Sequence, residues 1–382
     1  MTSTTGLTIA ATGDVAPCRP NPSAMFAGLG DALQADCVFG QMECVLSDRG
    51  SPAPNARLPM RSPPAIATYL AQAGYEVMSV AGNHAMDYGG DALCDTAGHL
   101  RAAGIAACGG GENLAAARAP AILERQGRTL AFLAYSSILP AGYAAEEARA
   151  GCAPLRVQTH YEQVEPDQPG TDPRIHTFAE QDDLDALLDD VKRAREFADH
   201  VFVSMHWGIH FVRARLADYQ RVVGRQIIDA GADAVIGHHP HLLKAVEFHR
   251  NRPIIHSLGN FAIEQPSAYM ENLEATRGYK EVTRTSSGWM PKAKYMLPEE
   301  TRHTAVACLA PGDDRCAVSL IPLRIDDDCV PRRLQNGSRE WADFVDYMDA
   351  ITSEAGVRTC IATQDDRVLL LPASGDPNKS LV

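Results

Sequence analysis

Nowhere in the 382 residues is there an apolar run long enough to span a bilayer, and the stretch Met1–Gly13 carries no basic n-region. A membrane anchor and a secretory leader are therefore not expected, and a cytoplasmic location is. The ten cysteines form no Cys-x-x-Cys pair and no framework spacing. They read as reduced, mostly buried small apolar residues. Positive charge is also short: 35 Lys and Arg against 48 Asp and Glu leave a net charge of −13. With only the doublet Arg332–Arg333 as a basic feature, nucleic acid is not an expected partner. The glycine run Gly109–Gly111 lacks the Lys-Ser/Thr that a phosphate loop requires, and no internal repeat is visible.

Histidine, by contrast, is concentrated. Five of the 13 histidines, His206, His210, His238, His239 and His241, fall close together, and His256 follows shortly after. The first two groups stand directly behind short β-branched or aromatic runs, Val201–Val203 and Ala234–Ile236, which read as buried parallel strands. Histidines at the carboxyl ends of such strands share one sheet edge, where α/β proteins place their sites. His239-Pro240-His241 sets two imidazoles one residue apart on a stiffened loop, a spacing that suits metal ions or one metal and a substrate group.

The same rule places two acids. Leu7–Ala11 is an expected strand ended by Thr12-Gly13-Asp14, and Cys37–Gly40 is a second one followed by Gln41-Met42-Glu43. A third, Val77–Val80, leads into Asn83-His84-Ala85-Met86-Asp87. If a helix starts near His84, that imidazole and Asp87 lie on one face at i, i+3, a pairing that serves acid–base catalysis; Asp87 could equally be a first-turn acid. Further helices are expected over Ala24–Leu33, Ala65–Ala73, Thr96–Ala103, Asp182–Ala198, Ala217–Ala230 and Ser338–Ala355. Gly142–Ile175 reads as a long lid-like loop. Gln265–Glu300 carries Tyr269, Tyr279, Trp289 and Tyr295 with poor periodicity and reads as an ordered insertion near a site. Thr304–Leu309 and Ala317–Ile325 alternate like antiparallel partners, and Arg367–Leu371 is a last strand.

Gly13-Asp14, Met42-Glu43, Asn83–Gly89 (NHAMDYG), His206-Trp207-Gly208, Gly237–His241 (GHHPH) and Ser257–Phe261 (SLGNF) together resemble the CapA family. That family is named for bacterial poly-γ-glutamate capsule synthesis proteins and sits within the calcineurin-like metallophosphoesterases. The resemblance implies a four-layer αββα sandwich over residues 1–265, an aromatic and basic insertion over 266–303, and C-terminal strands and a helix over 304–382. It implies Asp14, Glu43, Asn83, His206, His239 and His241 as metal ligands, and His84 as general acid. The ion would be divalent, with Ca²⁺, Mg²⁺ or Mn²⁺ favoured and Zn²⁺ or Fe²⁺ as the other choices. The superfamily's first motif is Asp-x-His, but Val15-Ala16 follows Asp14 here, so one histidine ligand is missing. His210 stands where the family usually has Glu, and His256 where it usually has Tyr.

Soluble relatives of this type epimerise the C-terminal residue of lasso-peptide precursors. The expected function is thus a metal-dependent peptide epimerase acting on a small ribosomal precursor peptide. His84 with Asp87 would form one acid–base pair, and the second would join His239, His256 or His210 to Asp14 or another carboxylate. His210, Trp207 and Trp289 would contact substrate. Hydrolysis of a phosphoester and non-catalytic binding of polyglutamate or peptide are the alternatives.

Overall fold

A computed structural model of the chain describes residues 6–265 and 294–373. Two sheets face each other in it. The larger has ten strands, running Thr359–Gln364, Arg367–Pro372, Cys316–Ile325, His303–Pro311, Ile9–Ala16, Cys37–Met42, Val77–Ser79, Ala106–Cys108. Asn260–Ile263 pairs beside Ile9–Ala16, and Pro331–Arg333 beside Cys316–Ile325. The smaller has six, in the order Val246–His249, Arg252–Ile255, Ala234–His238, His200–His206, Arg128–Ser136, Ala121–Arg125.

Period-2 alternation sorts the side chains between layers. In His200–His206, Val201, Val203 and Met205 pack with Leu187, Val191, Val223 and Ile227 of the helices Gln181–Phe197 and Asp218–Asp229. Phe202 points the other way, into the core between the sheets. There it stacks on Phe132 at 5.0 Å, and Phe132 stacks on Phe39 of the large sheet at 5.4 Å. Helices Ile66–Gln72 and Gly90–Ala102 flank the large sheet, giving the four layers αββα. Each such buried aliphatic or aromatic side chain contributes roughly 1.5–3 kcal/mol.

Residues 303–372 complete the large sheet rather than lie upon it. His303–Pro311 runs antiparallel to Ile9–Ala16, with Ile9 opposite Leu309 and Ala11 opposite Ala307. The helix Arg339–Glu354 starts where Ser338 accepts a hydrogen bond from the Trp341 amide at 3.1 Å, a cap worth about 1 kcal/mol. Among the described residues no helix is long and apolar enough to cross a membrane.

Three local expectations are corrected. The helix expected over Ala24–Leu33 is only Ser23–Ala27, because Gly28 follows at its cap and Gly30 takes a left-handed φ of 60°. Within the stretch read as a long loop, Val157–Glu162 and Arg174–Ala179 form a hairpin. Residues 83–88 are a series of turns, not a helix, and the helix that follows begins at Gly90.

Candidate metal and acid–base site

Parallel strands of both sheets end at one edge, and four of them deliver a polar side chain there. Asp14 stands in Ile9–Ala16, Glu43 just behind Cys37–Met42, His206 at the end of His200–His206, and His239 just behind Ala234–His238. Gly13 is needed for the first of these. A Cβ there would lie 2.1 Å from the Gly259 carbonyl oxygen, to which the Asp14 amide donates at 2.9 Å. That close approach sets Asp14 opposite Asn260 in the ladder.

Asp14, Glu43 and His206 each turn a ligand atom to one place, all within 4.8 Å of one another, and all three are buried. His206 Nε2 and His239 Nδ1 converge on Asn83 Oδ1 at 2.7 and 3.0 Å. His241 Nδ1 lies 2.7 Å from Asn260 Oδ1 and 3.4 Å from Asp14 Oδ2. Both Glu43 carboxylate oxygens, Asp14 Oδ1 and His206 Nδ1 are buried with no hydrogen-bond partner in the protein. Buried charges are tolerated only when paired or metal-bound, so this donor set fits a divalent cation. His239 and His241 are held at left-handed φ values of 95° and 57°, backbone strain of the kind that concentrates at functional sites.

Electrostatics point the same way. Burial pushes the Asp14 carboxyl up, but the His238 and His241 imidazoles beside it outweigh that and hold it well below the usual range. Burial, reinforced by the charges of Asp14 and Asp87, drives Glu43 in the opposite direction. Burial also lowers His206, to about 3, and lowers His239 and His210 well below the ordinary imidazole value, with neighbouring imidazoles adding to it in His239 and His210. These rings are therefore neutral at pH 7, the form that ligates metal.

Beside this cluster His84 Nδ1 meets Asp87 Oδ2 at 2.7 Å. Asp87 is buried and bound on both oxygens: Oδ2 also accepts from the Met60 amide at 2.8 Å, and Oδ1 accepts from the Tyr143 hydroxyl at 3.0 Å. The i, i+3 pairing forms even though the backbone is a turn. Burial, then the charge of Asp87, pushes the Tyr143 phenol far above its ordinary value, so it remains a donor.

His84, Asp87, Asn83, His210, His239 and His241 line one cavity of about 660 Å³. His210 stacks on His239 with 4.2 Å between ring centroids. Asp14, Glu43 and His206 lie buried beneath. Two expected site residues are elsewhere, and both assignments are corrected. Trp207 is fully buried among Tyr219 and Val223, and its indole donates to the His256 carbonyl at 3.0 Å. Next in sequence to His206, it faces the opposite side, toward the helices. His256 is also fully buried, stacked on Trp207 at 5.9 Å and 3.5 Å from Glu247, so it cannot reach the cavity as a base. Trp289, with most of the expected insertion, lies outside the described residues. Tyr143, Asn260 and the Asp14-facing His238 were not assigned roles from sequence. Asn260 stands inside the SLGNF motif, whereas nothing in the sequence around Tyr143 marks it.

The family of the bacterial capsule synthesis protein PGA_cap matches residues 8–265. The PGA biosynthesis protein CapA of Bacillus subtilis is 30% identical over 51% of this chain and 44% of its own length. The uncharacterized protein y4sH of Sinorhizobium fredii is 29% identical over 67% of this chain and 66% of its own. The chain thus aligns with less than two thirds of these curated relatives' length. Among solved structures, the calcineurin-like phosphoesterase YfkN of Bacillus subtilis overlaps 91% of this chain and 97% of its own, with 11% identity and a TM-score of 0.36.

Proposed function

This chain belongs to the bacterial capsule synthesis protein family PGA_cap, and we propose that it is a metal-dependent epimerase inverting a Cα centre, that of the C-terminal residue, in a small ribosomal precursor peptide of the lasso type. The observation that carries the proposal is the His84–Asp87 contact of 2.7 Å, opening into the same cavity as the converging imidazoles of His239 and His210. Inversion breaks one Cα–H bond and makes another on the opposite face, with no net change in composition. It needs one group to take the proton and a second to return one. His84, oriented by Asp87, serves one face; His210, stacked on His239, serves the other. A divalent ion held by Asp14, Glu43, Asn83, His206, His239 and His241 would supply positive charge to the oxygen on which the developing negative charge collects. The oxygen donors favour Ca²⁺, Mg²⁺ or Mn²⁺, and the three imidazoles keep Zn²⁺ and Fe²⁺ within range. Leu58, Leu139 and Phe211 give the cavity an apolar wall suited to a peptide side chain.

Turnover in D₂O tests this reading. Epimerisation must wash deuterium into the Cα of the inverted residue, and His84→Ala should lower the rate by at least ~10²-fold while the protein stays folded. The convergence of Asp14, Glu43, His206 and Asn83 equally supports a second reading, hydrolysis of a phosphoester. Cleavage of a phosphoester at a His84-dependent rate, with no deuterium entering any candidate peptide, would replace the first reading by the second.

A further inference from the structure

We infer that Arg57 is a specificity-determining residue that binds the free carboxylate of the substrate's terminal residue; this rests on the peptide reading above. Arg57 is the only Lys or Arg among the described residues that line the cavity. Among the described residues it makes no salt bridge, although its neighbours are engaged. Arg49 pairs with Asp95, and Arg61 donates to the Gly50 carbonyl at 3.2 Å and lies over the Tyr88 ring. In a chain with a net charge of −13, an unengaged guanidinium facing a cavity is a natural anion contact.

The loop that carries it is built to hold it in place. The Ala53 amide donates to the Asp87 carbonyl at 2.7 Å, and the Met60 amide donates to Asp87 Oδ2 at 2.8 Å. Both ends of the loop are therefore fastened to the residue that orients His84. Between them Asn55 Nδ2 donates to the Ala141 carbonyl at 2.9 Å, tying the loop to a second segment of the cavity lining. Leu58 follows directly, and Leu139 and Phe211 continue the apolar wall. An exposed guanidinium carried on a loop tied to the acid–base pair, with an apolar surface next to it, matches the two ends of one amino-acid residue: a terminal carboxylate and an apolar side chain. A planar fork of donors suits carboxylate in particular, and donating to one oxygen leaves the other to the ion, since the developing charge of a C-terminal residue collects on that same carboxylate.

The test compares a hexapeptide ending in phenylalanine with its C-terminal amide. Binding to the full-length, metal-supplemented protein is measured by calorimetry for wild type, Arg57→Ala and Arg57→Lys. Wild type should bind the acid about 10–100-fold more tightly than the amide, the range for a hydrogen-bonded charged pair. Arg57→Ala should cut that preference by about tenfold while binding the amide as wild type does, the ion supplying the remainder, and Arg57→Lys should restore part of the loss. Equal binding of acid and amide by wild type, no binding of the acid at millimolar concentration, or an unchanged preference in Arg57→Ala would each overturn the assignment. Inorganic phosphate is the comparison probe: Arg57-dependent phosphate binding without an acid preference assigns the side chain to a phosphate group and also overturns it. Deuterium entry at Cα is followed separately. Arg57-dependent binding without deuterium entry sinks the epimerase reading and leaves the carboxylate site standing.

Discussion

Asp87 receives more hydrogen bonds than an orienting carboxylate needs, and the Tyr143 contact is the one that can be removed without touching the imidazole. Tyr143→Phe deletes the donor at 3.0 Å and leaves the ring in place. The expected cost is about 1 kcal/mol of stability and roughly a tenfold fall in turnover. Asp87→Asn should be more severe, since it alters the acceptor that orients His84 itself. A merely structural Tyr143 would lower the melting temperature and leave turnover of the folded protein unchanged. Tyr143 escaped the sequence reading because it stands in a stretch with no hydrophobic period. The His84–Asp87 pair was legible because an i, i+3 spacing brings two side chains together in a turn as well as in a helix. Trp207 and His256 show the opposite failure. Adjacency to a motif says nothing about which side of the backbone a residue faces, and alternation turned Trp207 away from His206.

At the scale of elements, the helix Arg339–Glu354 covers a half-buried imidazole that the site does not use. His303 stacks on Tyr347 at 4.6 Å and meets Phe344 edge-on, and burial pushes it from 6.5 down to about 4. The unfolded chain then binds a proton that the folded protein refuses between those two pH values. Its contribution is fully present above pH 6.5 and is lost as the pH falls toward 4, so stability drops with acidification across that window. Denaturant midpoints measured from pH 7 to pH 4 should fall less steeply in His303→Gln, by an amount on the order of 1 kcal/mol at the acid end. An identical slope in both proteins would show that His303 does not contribute. The strands were the best-read elements, since buried runs such as Val201–Val203 keep their character anywhere in a sheet. The short helix after Pro22 was overread because two glycines interrupt an otherwise apolar spacing.

The molecule as a whole brings together candidate ligands from five separate segments, and only their order along the chain was visible in the sequence. Which sheet each strand would join was not, because non-local pairing leaves no local period. Asn260–Ile263 is the clearest case: the chain leaves the small sheet after Ile255 and crosses to pair with Ile9–Ala16. That crossing sets Asn260 against His241 beside Asp14. Ala16, two residues after Asp14, is fully buried and offers no donor. Among the described residues, Asp14, Glu43 and His206 turn their ligand atoms to one place, with Asn83 and His239 beside His206, which makes one cation position and no separate second one. About one divalent ion per chain should therefore survive dialysis, as counted by elemental analysis. Chelation should lower the unfolding midpoint, because Asp14 Oδ1 and both Glu43 oxygens are buried without a hydrogen-bond partner in the protein and lose the ion's positive charge. Restoring the ion at a hundredfold excess over its dissociation constant should return roughly 2.7 kcal/mol. Two tightly held transition-metal ions per chain, or a midpoint indifferent to chelation, would contradict the argument from Ala16 and the buried carboxylates.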